Sequence, residues 1–257
     1  MTHLWVRAEQ RPNEERVGLT PQGAAALVRA GIRVTVEQSS VRAIPIDGYR
    51  AAGCEIAEEN LWPKAPADAI IFDLEDAVTP VEKDRARDLL AHVLATSDFG
   101  RRVRIVRING METSWGPHDV AAFAGHPGAD AILIPKVSTA ADLHAVAALA
   151  PDKALWAMLE TARGMLNAAE IAAYPALEGM VMGTNDLARE LGSRFRADRL
   201  ALMSGLGQCL LAARAHGRVI VDGVYNAFSD DAGLKFECEQ GRDMGFDGKT
   251  LIHPLQL

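Results

Sequence analysis

An α/β barrel is the fold class this sequence predicts, and three observations predict it. From Ala67 onward, seven short apolar runs alternate with amphipathic stretches. Each run is nearly continuously apolar, the pattern of parallel strands buried on both faces. The length of 257 residues suits one large barrel or two modest domains. Seven strands are one short of a closed TIM-type (β/α) barrel. The barrel is therefore expected to be incomplete, or to have its first strand supplied by the N-terminal segment. An open doubly wound sheet is the alternative architecture.

Residues 1–66 read β-α-β-α-β in miniature. Leu4–Arg7 is a strand, Thr20-Pro21 opens a helix through Leu27 to Gly31, and Ile32–Val36 is a second strand. Ile46–Gly53 then reads as a short helix before Cys54–Ile56. There is no glycine-rich phosphate loop, and nothing this short binds a dinucleotide unaided. The later strands are expected at Ala69–Phe72, Val103–Ile108, Ala131–Ile134, Ala154–Leu159, Gly179–Met182, Val219–Val221 and Thr250–Ile252. Thr79-Pro80-Val81-Glu82 reads as a capping box with proline at the first helical position. A helix from about Ala197 to His216 should stop at Gly217.

Charge separates the two parts. Residues 1–66 hold 8 basic and 8 acidic side chains, so residues 67–257 carry the whole net charge of −7. These define the expected domains: 1–66 as an N-terminal α/β segment, 67–257 as the barrel. A pI near 5.5 argues against nucleic acid or an anionic membrane surface as partner. No apolar run approaches the roughly 18 to 20 residues that cross a bilayer. The N-terminus is too polar for a secretory signal, so the expected address is cytoplasmic. Cys54, Cys209 and Cys238 are widely spaced and odd in number, which fits reduced thiols.

In a parallel barrel, catalytic side chains come from the C-terminal ends of the strands. The exits here are Asp73-Leu74-Glu75-Asp76, Arg107 with Asn109-Gly110, Pro135-Lys136, Glu160-Thr161, Gly183-Thr184-Asn185-Asp186 and Asp222-Gly223. One charged exit is ordinary, since a chain turns polar on leaving a core. Six with mixed carboxylates, one arginine and one lysine point to an active site. Glu160 and Asp186 are 26 residues apart, the length of one β-α repeat, so both should project into one mouth. Two hard oxygen ligands beside open positions suit Mg2+. Arg107 is placed to hold a carboxylate bidentately. Other signals are weaker. Gly245-Phe246-Asp247-Gly248-Lys249-Thr250 lacks the earlier glycine of a phosphate loop. His118, His126, His144 and His216 read as unpartnered surface or structural residues, and His253 as a scaffold residue.

The exits also carry a family resemblance. Ala67-Asp68-Ala69-Ile70-Ile71-Phe72-Asp73-Leu74-Glu75-Asp76-Ala77-Val78 closely resembles the second-strand signature of the citrate lyase β-subunit-like enzymes, in the HpcH/HpaI aldolase superfamily. The resemblance continues, in order, through Val106-Arg107-Ile108-Asn109, Ile134-Pro135-Lys136-Val137, Met158-Leu159-Glu160-Thr161, Met182-Gly183-Thr184-Asn185-Asp186-Leu187, Asp222-Gly223-Val224-Tyr225 and Gly245-Phe246-Asp247-Gly248-Lys249 with Ile252-His253-Pro254. It implies that Glu160 and Asp186 ligate Mg2+, that Arg107 clamps the substrate carboxylate, and that Glu75 and Asp76 line the metal site through water. Lys136, Gly183, Thr184 and Asn185 join Arg107 as expected substrate-binding residues, and Arg107, Glu75 and Asp76 as the catalytic set. The implied reaction makes or breaks a C–C bond between an acyl-CoA and a small 2-keto acid. The implied assembly is a trimer or hexamer.

Two departures accompany the resemblance. The first strand and the CoA-contacting arginine loop of that family have no counterpart, so poor affinity for a CoA thioester is expected. Instead, Leu4-Trp5-Val6-Arg7-Ala8-Glu9, Arg11-Pro12-Asn13-Glu14-Glu15-Arg16, Leu19-Thr20-Pro21 and Ile44-Pro45-Ile46-Asp47-Gly48-Tyr49 resemble the N-terminus of bacterial saccharopine dehydrogenases, relatives of alanine dehydrogenase. The chain thus reads as a chimera that also lacks the family's C-terminal helices. The expected function is a Mg2+-dependent C–C lyase. An aldolase on a 2-keto acid without CoA, and an inactive fragment that retains metal and keto-acid binding, are the alternatives.

Overall fold

A computed structural model describes residues 3–6, 20–29, 33–39, 44–57, 69–253 and 256. Arg7–Glu9, Arg11–Arg16, Leu19, Gly31, Ile32, Ala67, Asp68 and Pro254, cited above, lie outside the described residues. The chain divides into two compact units. One comprises Met1–Ala67, Asn226–Leu234 and Leu251–Leu257, the other Asp68–Tyr225 and Lys235–Thr250.

The smaller unit carries β1 (His3–Val6), α1 (Pro21–Arg29), β2 (Arg33–Glu37), α2 (Ile46–Ala51) and β3 (Glu55–Ala57). The strands form a parallel sheet in the order β1-β2-β3. Ala24, Val34, Val36, Tyr49 and Cys54 make its core. Arg33 on β2 forks onto Glu55 of β3 at 2.7 and 2.6 Å, an exposed cross-strand pair.

The larger unit runs β4 (Ala69–Asp73), α3 (Lys83–Thr96), β5 (Val103–Arg107), α4 (Gly116–Phe123), β6 (Ala131–Ile134), α5 (Ala140–Ala147) and β7 (Ala154–Leu159). It continues with α6 (Ala162–Leu166), α7 (Ala168–Ala172), β8 (Leu177–Met182), α8 (Thr184–Glu190), α9 (Met203–Ala215), β9 (Val219–Asp222), α10 (Asp231–Met244) from Lys235 onward, and β10 (Gly248–Lys249). All seven strands are parallel, in the order β10-β9-β8-β7-β6-β5-β4. Among the described residues this is a curled, seven-stranded α/β half-barrel of the TIM type.

Four expectations need correction. Among the described residues no strand of the N-terminal segment joins the seven-stranded sheet, since β1, β2 and β3 pair with one another. The last strand is Gly248–Lys249 rather than Thr250–Ile252, since Gly248 and Lys249 find register with Val221 and Asp222. The Thr79 side chain caps nothing; Pro80–Glu82 is a 3-10 turn and α3 begins at Lys83. The capping box belongs to Thr139 and Asp142, at the start of α5. The helix expected from Ala197 starts only at Met203, because Arg199 adopts a left-handed φ of 52° that no helix accommodates. Its end is as read, with Gly217 at φ 64°.

Side chains alternate along the strands and build two layers. Val106, Ile132, Ile134, Leu155, Leu159, Met180 and Met182 face the helices, meeting Leu94, Phe123, Leu143, Ile171 and Leu206. Ile71, Ile105, Leu133, Trp156, Met158 and Val181 form the inner cluster. Gly179 lies directly beneath the Trp156 ring, where a Cβ would meet ring carbons at 2.5 Å. Cys54 and Cys209 are buried and Cys238 is exposed, and none is in a disulfide. Among the described residues no helix is long and apolar enough to cross a membrane.

Candidate active site

The two-residue period that puts Ile71, Ile105 and Met158 inside the barrel also puts Asp73, Arg107 and Glu160 on that side, at the strand ends. Asp73 and Arg107 are register partners across β4 and β5. Arg107 Nε donates to Asp73 Oδ1 at 2.7 Å, and Nη2 to Oδ2 at 2.5 Å. Burial alone would raise the Asp73 carboxyl; the paired guanidinium outweighs it and holds the group below the usual carboxylate range. Burial likewise opposes the charge on Arg107, and Asp73, Glu75 and Asp76 reverse that and raise its pKa. Asp73 also accepts the backbone N–H groups of Glu75 and Ala77 at 2.8 and 3.1 Å, which folds the exit turn around it.

The bidentate face of Arg107, expected to clamp substrate, is thus taken by Asp73. What remains is Nη1, 3.0 Å from Glu75 Oε2, 3.4 Å from Met158 Sδ and 3.9 Å from Asp76 Oδ2. Glu75 is buried, and its Oε2 has no hydrogen bond although Nη1 is near. Asp76 is exposed at the rim.

Lys136 joins the two halves of the site. Its φ of 53° is left-handed, a conformation that costs a non-glycine residue about 1 kcal/mol or more. The backbone N–H consequently donates to Glu160 Oε1 at 2.8 Å, while Nζ pairs with Glu75 Oε1. Burial would lower the Lys136 ammonium, and Glu75, Glu160 and Asp76 together raise it instead.

Glu160 is only 3% exposed. Burial pushes its carboxyl up to about 7, with repulsion from Glu75 and Asp186 adding and the Lys136 contacts opposing. Gly183, just before α8, packs against this side chain, and a Cβ there would overlap the Glu160 Cβ. Thr184 is buried, and Asn185 and Asp186 follow, half-buried, in the first turn of α8. Asp186 pairs with the exposed Arg189 at 2.9 Å.

All the expected site residues therefore sit at the strand exits of one sheet. Glu75, Arg107, Lys136 and Glu160 form one connected charge network. Sequence reasoning passed over the specific role of Asp73. A signal for Asp73 existed: it ends β4 on the inner parity, one strand from Arg107. Of the weaker candidates, His126 is not unpartnered, since Nε2 meets the Ala91 carbonyl at 3.1 Å and Nδ1 accepts the Gly128 N–H. His253 stacks on Phe228, with ring centroids 4.4 Å apart.

The donor set fits a hard divalent cation. Glu160 is a carboxyl whose ionisation is suppressed chiefly by burial, with neighbouring negative charge adding, a cost that a bound cation offsets. Among the described residues no three His, Cys, Asp or Glu side chains converge as a metal cage. Two carboxylates with open positions suit Mg2+, which keeps waters and takes further oxygens from substrate.

Comparison with known proteins bears on this arrangement. The HpcH/HpaI aldolase/citrate lyase family matches residues 58–254, and the N-terminal domain of alanine dehydrogenase/PNT matches residues 5–101. A (3S)-malyl-CoA thioesterase from Cereibacter sphaeroides is 74% identical over 191 residues, covering 74% of this chain and 67% of that protein. The citrate lyase subunit beta of Escherichia coli K12 is 35% identical over 204 residues, covering 75% and 67%. Among solved structures, CitE from Mycobacterium tuberculosis in complex with magnesium, acetoacetate and coenzyme A superposes with a TM-score of 0.66. It is 35% identical, and the match covers 76% of this chain and 74% of that one.

Proposed function

We propose, because the chain belongs to the HpcH/HpaI aldolase/citrate lyase family, that it is a Mg2+-dependent enzyme acting on the CoA thioester of a small hydroxy acid of the malyl type. The observation that carries this reading is Glu160, a buried carboxyl held up at about 7 beside Asp186 and Glu75. Such a group is poised to lose its proton when a cation arrives. Glu160 and Asp186 would hold the ion. When bound, it polarises the substrate carbonyl and stabilises negative charge developing on that oxygen.

The remaining work falls to the chain's own residues. The Lys136 N–H orients Glu160 through its Oε1. Arg107, anchored by Asp73, presents Nη1 to the mouth as one cationic arm for a substrate carboxylate. Glu75, whose Oε2 lies buried 3.0 Å from Arg107 Nη1, would take a proton from a reacting O–H once substrate draws that guanidinium nitrogen away.

Two reactions use the same parts. Hydrolysis takes the proton from water, whose oxygen bonds the thioester carbon as the C–S bond breaks, and CoA leaves with a proton as the free thiol beside the hydroxy acid. C–C cleavage takes it from the substrate hydroxyl, breaks the bond to the carbon next to the thioester and returns a proton to that carbon, releasing acetyl-CoA and glyoxylate. Identity favours hydrolysis: 74% to a protein named a thioesterase against 35% to one named a lyase subunit. The second reading is the lyase, supported by the wider family. Incubation with malyl-CoA and Mg2+ separates them. Free thiol and malate without glyoxylate marks a thioesterase, and glyoxylate without free thiol marks a lyase. Neither product above an EDTA control would refute the proposal.

A further inference from the structure

Lys83 opens α3, ten residues after the end of β4, and is 6% exposed. Among the described residues it forms no ion pair with a carboxylate. Its Nζ instead donates to two consecutive backbone carbonyls, Leu74 O at 2.8 Å and Glu75 O at 2.6 Å. It also lies 5.7 Å from the centroid of the Trp115 ring, within cation–π range. A buried ammonium without a counter-ion is costly to keep. Carbonyls and a ring are what offset that cost here, and both carbonyls belong to the exit turn that carries Glu75.

The rest of that turn is pinned from the other side. Leu74 N–H donates to Arg107 O at 2.9 Å, and Glu75 N–H to Asp73 Oδ1 at 2.8 Å. Glu75 O accepts from Val78 N–H at 3.1 Å as well as from Lys83. With both carbonyls drawn toward α3, the Glu75 side chain is left to project to the mouth, Oε1 on Lys136 and Oε2 beside Arg107.

We propose that Lys83 is a positioning residue of this site: its ammonium clamps the Leu74 and Glu75 carbonyls and so holds the Glu75 carboxylate in place between Lys136 and Arg107. The inference rests on the functional reading above, in which Glu75 borders the cation site. It assigns Lys83 no contact with substrate.

The molecule supplies its own control. Lys153 has the same chemistry at the opposite end of the sheet, just before β7: its Nζ donates to His126 O at 2.8 Å and Ala129 O at 2.5 Å. A merely structural clamp at Lys83 should behave like Lys153. The test compares wild type, Lys83→Met and Lys153→Met for thermal stability, for Mg2+ dissociation constant by calorimetry, and for kcat and KM on malyl-CoA. Lys83→Met is expected to weaken Mg2+ about ten- to hundredfold, as loss of an outer-shell support does, whereas Lys153→Met lowers stability alone.

The sign of the change is itself diagnostic. Deleting a positive charge near a cation site strengthens cation binding if the charge acts only through space, so weaker Mg2+ binding requires the carboxylate to have moved. In a Glu75→Gln background, Lys83→Met should change Mg2+ affinity less than twofold, because the group it positions is altered. Should Lys83→Met not fold, Lys83→Arg replaces it. Arg keeps the charge but crowds the turn, and the same weakening against Lys153→Met is expected. Mg2+ affinity and kinetics for the Lys83 variant that match Lys153→Met, or tighter Mg2+, would overturn the inference. Wild type that neither binds Mg2+ nor turns over malyl-CoA would overturn the functional reading instead.

Discussion

Replacing Glu160 by Gln should make the metal-free protein more stable at alkaline pH while removing its Mg2+ binding. In the unfolded chain this carboxyl titrates at its ordinary 4.5, and in the folded chain at about 7. Below 4.5 it is protonated in both states and contributes nothing. Between 4.5 and 7 the unfolded chain releases the proton and the folded chain retains it, so stability falls as pH rises. Above 7 the folded chain carries the full cost of a buried anion, about 3 kcal/mol at 1.36 kcal/mol per pH unit. Glutamine occupies the same volume, and its carbonyl can still accept the Lys136 N–H that Oε1 accepts now. Urea unfolding of wild type and Glu160→Gln in EDTA, at pH 5 and pH 8, reads the difference. The variant should gain about 2.5 kcal/mol on wild type between those two pH values, since part of the cost is already present at pH 5. Mg2+ should then stabilise wild type at pH 8 and leave the variant unchanged, and calorimetry at pH 7 should detect proton release on binding. A stability difference that does not change with pH, or that grows in favour of wild type at pH 8, would refute the reasoning.

Two other substitutions test the framework around Glu160. Gly183→Ala places a Cβ on the Glu160 side chain; because φ at Gly183 is an ordinary −95°, the backbone accepts alanine and the carboxylate must move. Mg2+ affinity should fall about tenfold or more with an unchanged circular dichroism spectrum, and an unaltered dissociation constant would count against the packing. Arg107→Lys keeps the charge but not the fork onto Asp73, so it should lower the urea-unfolding free energy by about 1–3 kcal/mol and weaken keto-acid binding. Indifference in both measurements would contradict the anchoring role.

The local part of this protein was legible from residue order. Strands buried on both faces must be apolar throughout, so the runs at Ala131–Ile134 and Ala154–Leu159 announced themselves with the bounds they have in the structure. The charged exits were legible for the same reason: where a core ends, a carboxylate or guanidinium stands out. The end of α9 could be read from Gly217, since only glycine adopts that φ without strain. Its start could not, because nothing in the side chain of Arg199 announces a left-handed backbone. The tertiary structure alone decided which exit charges meet. Asp73 and Arg107 are 34 residues apart and Glu75 and Lys136 are 61 apart; sheet register brings the first pair together, and a backbone twist at Lys136 directs the second. That pairing, invisible to local pattern, ties the fork of Arg107 to Asp73 and sets its Nη1 beside the buried Glu75 Oε2. The small sheet likewise followed from pairing: a short apolar strand from residues 1–66 could join either sheet by its pattern, and among the described residues β1, β2 and β3 pair with one another. Apolar periodicity records how deeply a residue is buried, whereas a site depends on which distant residues bury it together.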